Sequence, residues 1–184
     1  FVNLDKISWS MGDKRFKKFY DKLKSAIKNI VKTKELTIIK DGSNYVIGFN
    51  KDDSFSESVE NAIKVSFRLL ALVAKINLKI TKYSNEVLKC AATISKMASY
   101  SDNIDVISFL DLYKDDKKKI SALTDVHLYL EAQIYSVLQD KLEYTYISSV
   151  YKNKKEVMLF NINAKKYIDI YDDPQLKGQK MVDG

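Results

Sequence analysis

An α+β fold, with helices packed against a mostly antiparallel sheet, is what this 184-residue sequence predicts, and three observations predict it. Apolar residues recur at three- and four-residue steps over residues 12–34. Two β-rich runs flank the turn-forming Asp41-Gly42-Ser43-Asn44, and a second pair of β-rich runs lies toward the C-terminal end. A hydrophobic share of 46% is enough for one core, so residues 1–171 read as a single domain and 172–184, which hold the single Pro, as a frayed tail.

Taken in order, Phe1-Val2-Asn3-Leu4-Asp5 alternates apolar with polar and reads as an opening strand with Asn3 and Asp5 on one face. Over residues 12–34, Phe16, Phe19, Tyr20, Leu23, Ile27, Ile30 and Val31 form the stripe of an amphipathic helix of about six turns. Residues 35–40 and 45–49 make the arms of a hairpin. Ser54, with Glu57 three residues on, is a capping box ahead of a helix over 55–76. Leu78-Lys79-Ile80 is expected to begin an extended stretch, and residues 87–97 a strand. Residues 102–112 and 122–139 carry helical spacing, and 144–150 with 156–162 form a second hairpin across Lys152-Asn153-Lys154-Lys155. This order is a ferredoxin-like βαββαβ core, extended by C-terminal helices and a hairpin.

Composition narrows the chemistry. A single cysteine, Cys90 in an apolar setting, permits no internal disulfide and no Cys-based metal site, and a reducing cytoplasm is the expected compartment. The longest apolar run, residues 69–74 between Arg68 and Lys75, is far short of the roughly 20 residues a membrane-spanning helix needs. The opening on Phe1 rather than Met suggests a piece of a longer protein. His127, the sole histidine, is expected in mid-helix without a second ligand or a nucleophile beside it, and no Gly-rich phosphate loop, zinc spacing or nucleophile elbow is present.

The net charge of +7 comes almost wholly from Lys, with Arg only at 15 and 68, and tilts toward anionic partners such as nucleotides. Lys, Ile, Asn and Tyr are also what an AT-rich genome supplies, and Lys117-Lys118-Lys119 and Lys152-Asn153-Lys154-Lys155 read as solvated turns. Twelve Tyr and eight Phe offer base-stacking surfaces, but the strands lack the Lys/Arg-Gly-Phe/Tyr-Gly/Ala-Phe run of RNA-recognition domains, so nucleic acid is the less favoured partner.

Three segments resemble the catalytic domains of class III nucleotide cyclases. Phe1-Val2-Asn3-Leu4-Asp5-Lys6-Ile7-Ser8 is similar to that family's opening F-x-D-I-x-G-F-T, and Gly42-Ser43-Asn44-Tyr45-Val46-Ile47-Gly48-Phe49 to its Gly-Asp-Gly turn and outgoing strand. Val106-Ile107-Ser108-Phe109-Leu110-Asp111-Leu112 resembles its later helix, V-N-x-A-x-R-L. The resemblance implies two carboxylates holding two Mg²⁺ or Mn²⁺ ions, a nucleoside triphosphate or cyclic nucleotide as ligand, and pairing with itself or with a catalytic partner. At the aligned positions stand Asn3 and Ser43, with Ile107 and Asp111 in place of the helix Asn and Arg, so it implies a degenerate, nucleotide-sensing or regulatory module. The alternative is an active cyclase whose metal pair has shifted to Asp5, two residues after Asn3, and Asp41, two residues before Ser43. In either case Asn3, Lys40, Ser43 and Asn44 are the expected nucleotide contacts.

Overall fold

Gly12, with φ of 79°, divides the N-terminal region into two helices. The computed structural model describes residues 1, 3–32, 37–41, 44–49, 54–96, 126–152 and 155–167. In chain order the elements are α1 (Leu4–Met11), α2 (Asp13–Lys32), β1 (Thr37–Asp41), β2 (Asn44–Gly48), α3 (Phe55–Ile80), β3 (Cys90–Ile94), β4 (Val126–Glu131), α4 (Ala132–Leu138), β5 (Tyr144–Lys152), β6 (Lys155–Ile162) and α5 (Ala164–Tyr167).

Where an opening strand is expected over residues 1–5, Asn3 is the N-cap residue and Leu4 and Asp5 begin α1. The alternation there is too short to compete with Leu4, Ile7 and Met11, whose helical spacing buries Ile7 and Met11. The Gly12 N–H closes the helix on the Ser8 carbonyl. α2 follows the predicted stripe, burying Phe19, Leu23, Ala26, Ile27, Ile30 and Val31.

α3 begins at the predicted capping box, where Ser54 Oγ accepts from the Glu57 N–H at 3.2 Å and the Ser54 N–H donates to Glu57 Oε2 at 3.0 Å. It runs on through Leu78-Lys79-Ile80, because Val73, Ile76 and Ile80 continue its buried stripe. Of the helix expected over 122–139, the described part from Val126 is strand and helix in turn: β4, then α4. His127, Leu128, Tyr129 and Leu130 are all buried, and four consecutive buried side chains need protein on both sides of the chain, as in an interior strand. The helix expected at 102–112 and the tail at 172–184 lie outside the described residues.

β1 and β2 form a two-stranded antiparallel sheet of their own. The other strands make one sheet in the order β3-β4-β6-β5, with β3 parallel to β4 and the remaining pairs antiparallel. Both predicted hairpins are therefore present. α3 packs on β3 and β4, α4 on β4 and β6, and α5 on β4, while α2 lies against α3 and α1 against α2. One hydrophobic cluster extends from Ile7 through α2, α3 and Leu128 and Leu130 of β4 to Tyr167. The result is the α+β class read from the order of elements: helices on a mostly antiparallel, ferredoxin-type sheet. Among the described residues no helix is long and apolar enough to cross a membrane.

Candidate functional site

The N-terminal segment and the β1–β2 hairpin meet through aromatic rings. Phe1 stands edge-on to Tyr45 at 6.4 Å, and Tyr20 of α2 hydrogen-bonds Tyr45 while stacking on Phe16 at 5.7 Å. Burial, and then the Tyr20 contact, push the Tyr45 phenol above its ordinary pKa. Lys24 Nζ lies 4.9 Å over the Tyr20 ring. These contacts bring Tyr45 of β2 beside residue 1.

Asn3 precedes α1 and is only 6% exposed. Its Nδ2 donates to the Val87 carbonyl at 2.8 Å and its Oδ1 accepts from the Lys89 N–H at 2.9 Å. Asn77 of α3 serves the residue between, Nδ2 donating to the Leu88 carbonyl and Oδ1 accepting from the Leu88 N–H, both at 2.8 Å. Main-chain groups of an extended segment point alternately to its two sides, so the two amides flank residues 87–89 as neighbouring strands would.

Asp5 does not share a strand face with Asn3. It lies exposed in the first turn of α1, where a carboxylate complements the positive end of the helix dipole. In the hairpin register Lys40 is opposite Tyr45 and Asp41 opposite Asn44; Ser43, Ile107 and Asp111 lie outside the described residues. Among the described residues no group of three His, Cys, Asp or Glu side chains could hold a metal ion. Asn3 offers no anionic oxygen, and Asp5 stands on a helix rather than beside it on a strand face, so these two residues do not supply the converging carboxylates that a two-ion centre needs.

A second polar group, absent from the sequence-based expectations, lies on the sheet. Tyr129 of β4, Asn161 of β6 and Tyr146 of β5 stand in one cross-strand row. The two tyrosine hydroxyls are 3.0 Å apart, and Asn161 Oδ1 accepts from Thr145 Oγ1 at 2.7 Å beside the irregularity in β5. Asn161 is buried and its Nδ2 has no hydrogen-bond partner among the described residues, while the buried His127 ring lies 6.5 Å from that of Tyr129. The row offers hydrogen bonds to a polar atom. Asn77 and Asn161 leave a trace in the sequence, each being a lone amide in an apolar setting: Asn77 between Val73, Ile76 and Ile80, and Asn161 within Leu159-Phe160-Asn161-Ile162.

Comparison with protein families finds no matching family, and no curated protein matches by sequence. Among solved structures, the crystal structure of the guanylyl cyclase Cya2 aligns over 88% of this chain and 86% of its own, with a TM-score of 0.57 and 10% sequence identity. At that identity the likeness is one of fold, and the fold of this chain is cyclase-like.

Proposed function

We propose that this chain is a nucleotide cyclase-like domain that no longer cyclises a nucleotide and works as a nucleotide-sensing or regulatory module, pairing with itself or with a catalytic partner. The observation that carries the reading is the Asn3 amide, bonded at both ends to the main chain of Val87 and Lys89 at the position where the resemblance calls for a metal-binding carboxylate. A carboxylate there has no hydrogen to give the Val87 carbonyl, so the position is adapted to an amide. Asp5, the alternative ligand, points its chemistry into solvent from a helix turn. Of the nucleotide contacts that the resemblance implies, Lys40, Ser43 and Asn44 are residue types able to supply a cation and hydrogen-bonding groups without a pair of divalent ions.

Thermal unfolding with each nucleoside triphosphate and Mn²⁺, with pyrophosphate measured in the same samples, tests this, because a ligand bound by the folded state alone raises the melting temperature. A rise without pyrophosphate is the expected result. Pyrophosphate release abolished by Asp41→Ala would make the domain an active cyclase with a displaced metal pair. No rise with any nucleotide would remove direct sensing by this chain.

A further inference from the structure

Nearly all of the excess positive charge of this chain sits in its first two helices. Residues 1–32 hold nine Lys and Arg against three Asp, which is +6 of the net +7, so the rest of the chain is close to neutral. A composition that merely favoured Lys would spread the excess along the sequence. On α2, Lys14, Lys17, Lys18 and Lys28 are exposed on the side away from the buried Phe19, Leu23, Ile27 and Ile30. Among the described residues none of these four lysines is in an ion pair; Asp21, on the same side, is taken by Lys24 at 2.8 Å. The four span about 21 Å of helix. Trp9, the single tryptophan, is 84% exposed on α1, one turn from Lys6 and five residues before Lys14.

We propose that the outer face of α1 and α2 binds single-stranded nucleic acid, with Lys14, Lys17, Lys18 and Lys28 contacting phosphates and Trp9 stacking on a base. Lysines give sequence-neutral charge along a backbone, and an exposed indole can cover the face of an unpaired base but not one closed inside a duplex. A membrane surface fits less well. An interfacial helix needs a free apolar face, and that of α2 is consumed by the core. This inference does not depend on the nucleotide-sensing reading.

The test is fluorescence anisotropy of labelled oligo-dT and oligo-U with the whole chain, beside a duplex of equal length and anionic phosphatidylserine vesicles, with Trp9 emission read in parallel. Four phosphate contacts on a single strand predict a slope of about −3 in log K against log salt, or roughly fifty-fold weakening between 50 and 200 mM. Lys14→Gln, Lys17→Gln, Lys18→Gln and Lys28→Gln combined should weaken binding more than about tenfold at low salt and flatten the slope. The exposed pair Lys82→Gln and Lys89→Gln should leave binding within about twofold. Trp9→Ala should cost about fivefold or more and leave the slope unchanged. If the combined variant fails to fold, the single substitutions must each reduce the slope by about 0.7. The proposal is overturned by absence of oligonucleotide binding at low salt, by equal losses in the control pair, by vesicle binding alone, or by duplex binding as tight as single-strand binding with no effect of Trp9→Ala.

Discussion

Asn77 shows how a single side chain can stand in for a strand. It is buried among Ile76 and Ile80 and satisfies both the N–H and the carbonyl of Leu88. Asn77→Leu keeps the volume and adds apolar surface, yet leaves two buried main-chain groups unpaired at about 1–3 kcal/mol each. We expect a net loss of roughly 2–4 kcal/mol in urea denaturation, and a loss below about 0.5 kcal/mol would show that water replaces the amide. Asn3→Asp is informative in another way. It keeps the acceptor for the Lys89 N–H and restores the carboxylate of the cyclase pattern, but sets an oxygen against the Val87 carbonyl at the position of the present 2.8 Å bond. The expected outcome is a destabilised domain that gains no metal-dependent pyrophosphate release. Neither amide's role was legible from residue type. Their partners are main-chain atoms 84 and 11 residues away, and the sequence records only that a polar residue interrupts an apolar stripe.

At the scale of elements, legibility follows the range of the determining contact. The α3 start is local, since Ser54 and Glu57 are three residues apart, and Ser54→Ala should cost about 1 kcal/mol in a thermal melt. The end of α3 was misread because Leu78-Lys79-Ile80 suits a strand or a last helical turn equally, and the buried Ile80 decides for the helix. β4 was misread because its apolar residues satisfy a helical period too, and its identity depends on β3 and β6 beside it. Glu60 of α3 meets Lys141, just after α4, at 2.9 Å. The Lys141 hydrogen bond holds the Glu60 carboxyl below its ordinary pKa. A folded-state pKa below the unfolded one gives a contribution that is complete above the unfolded value, about 4.3, and lost as pH falls through the folded one. Glu60→Gln should therefore lower the melting temperature slightly at neutral pH and match the parent near pH 3 or below. A difference that persists in acid would assign the effect to packing.

For the whole molecule, two hairpins and two long helices were enough to predict the α+β class, whereas the strand order β3-β4-β6-β5 was not predictable. The parallel pairing of Cys90 with Val126 and its neighbours links residues 36 apart, and no local pattern encodes such a pairing. The candidate site was half legible for the same reason: the hairpin is local, but the shared face of Asn3 and Asp5 required a strand that the α1 core contacts exclude. Charge, by contrast, can be read at this scale without any fold. Nine cations against three acids over residues 1–32 repel one another along two adjoining helices. The Debye length, about 10 Å at 0.1 M salt, is shorter than the lysine face of α2, so added salt screens that repulsion. Between 20 and 300 mM NaCl the melting temperature at neutral pH should rise by about 2 °C, equivalent to somewhat under 1 kcal/mol for a chain of this size. The variant with Gln at positions 14, 17, 18 and 28 should begin higher and gain less. A melting temperature that falls with salt would mean that surface pairs such as Glu60–Lys141 and Glu143–Lys166 outweigh the repulsion, and that the lysine face carries no electrostatic strain for a polyanion to relieve.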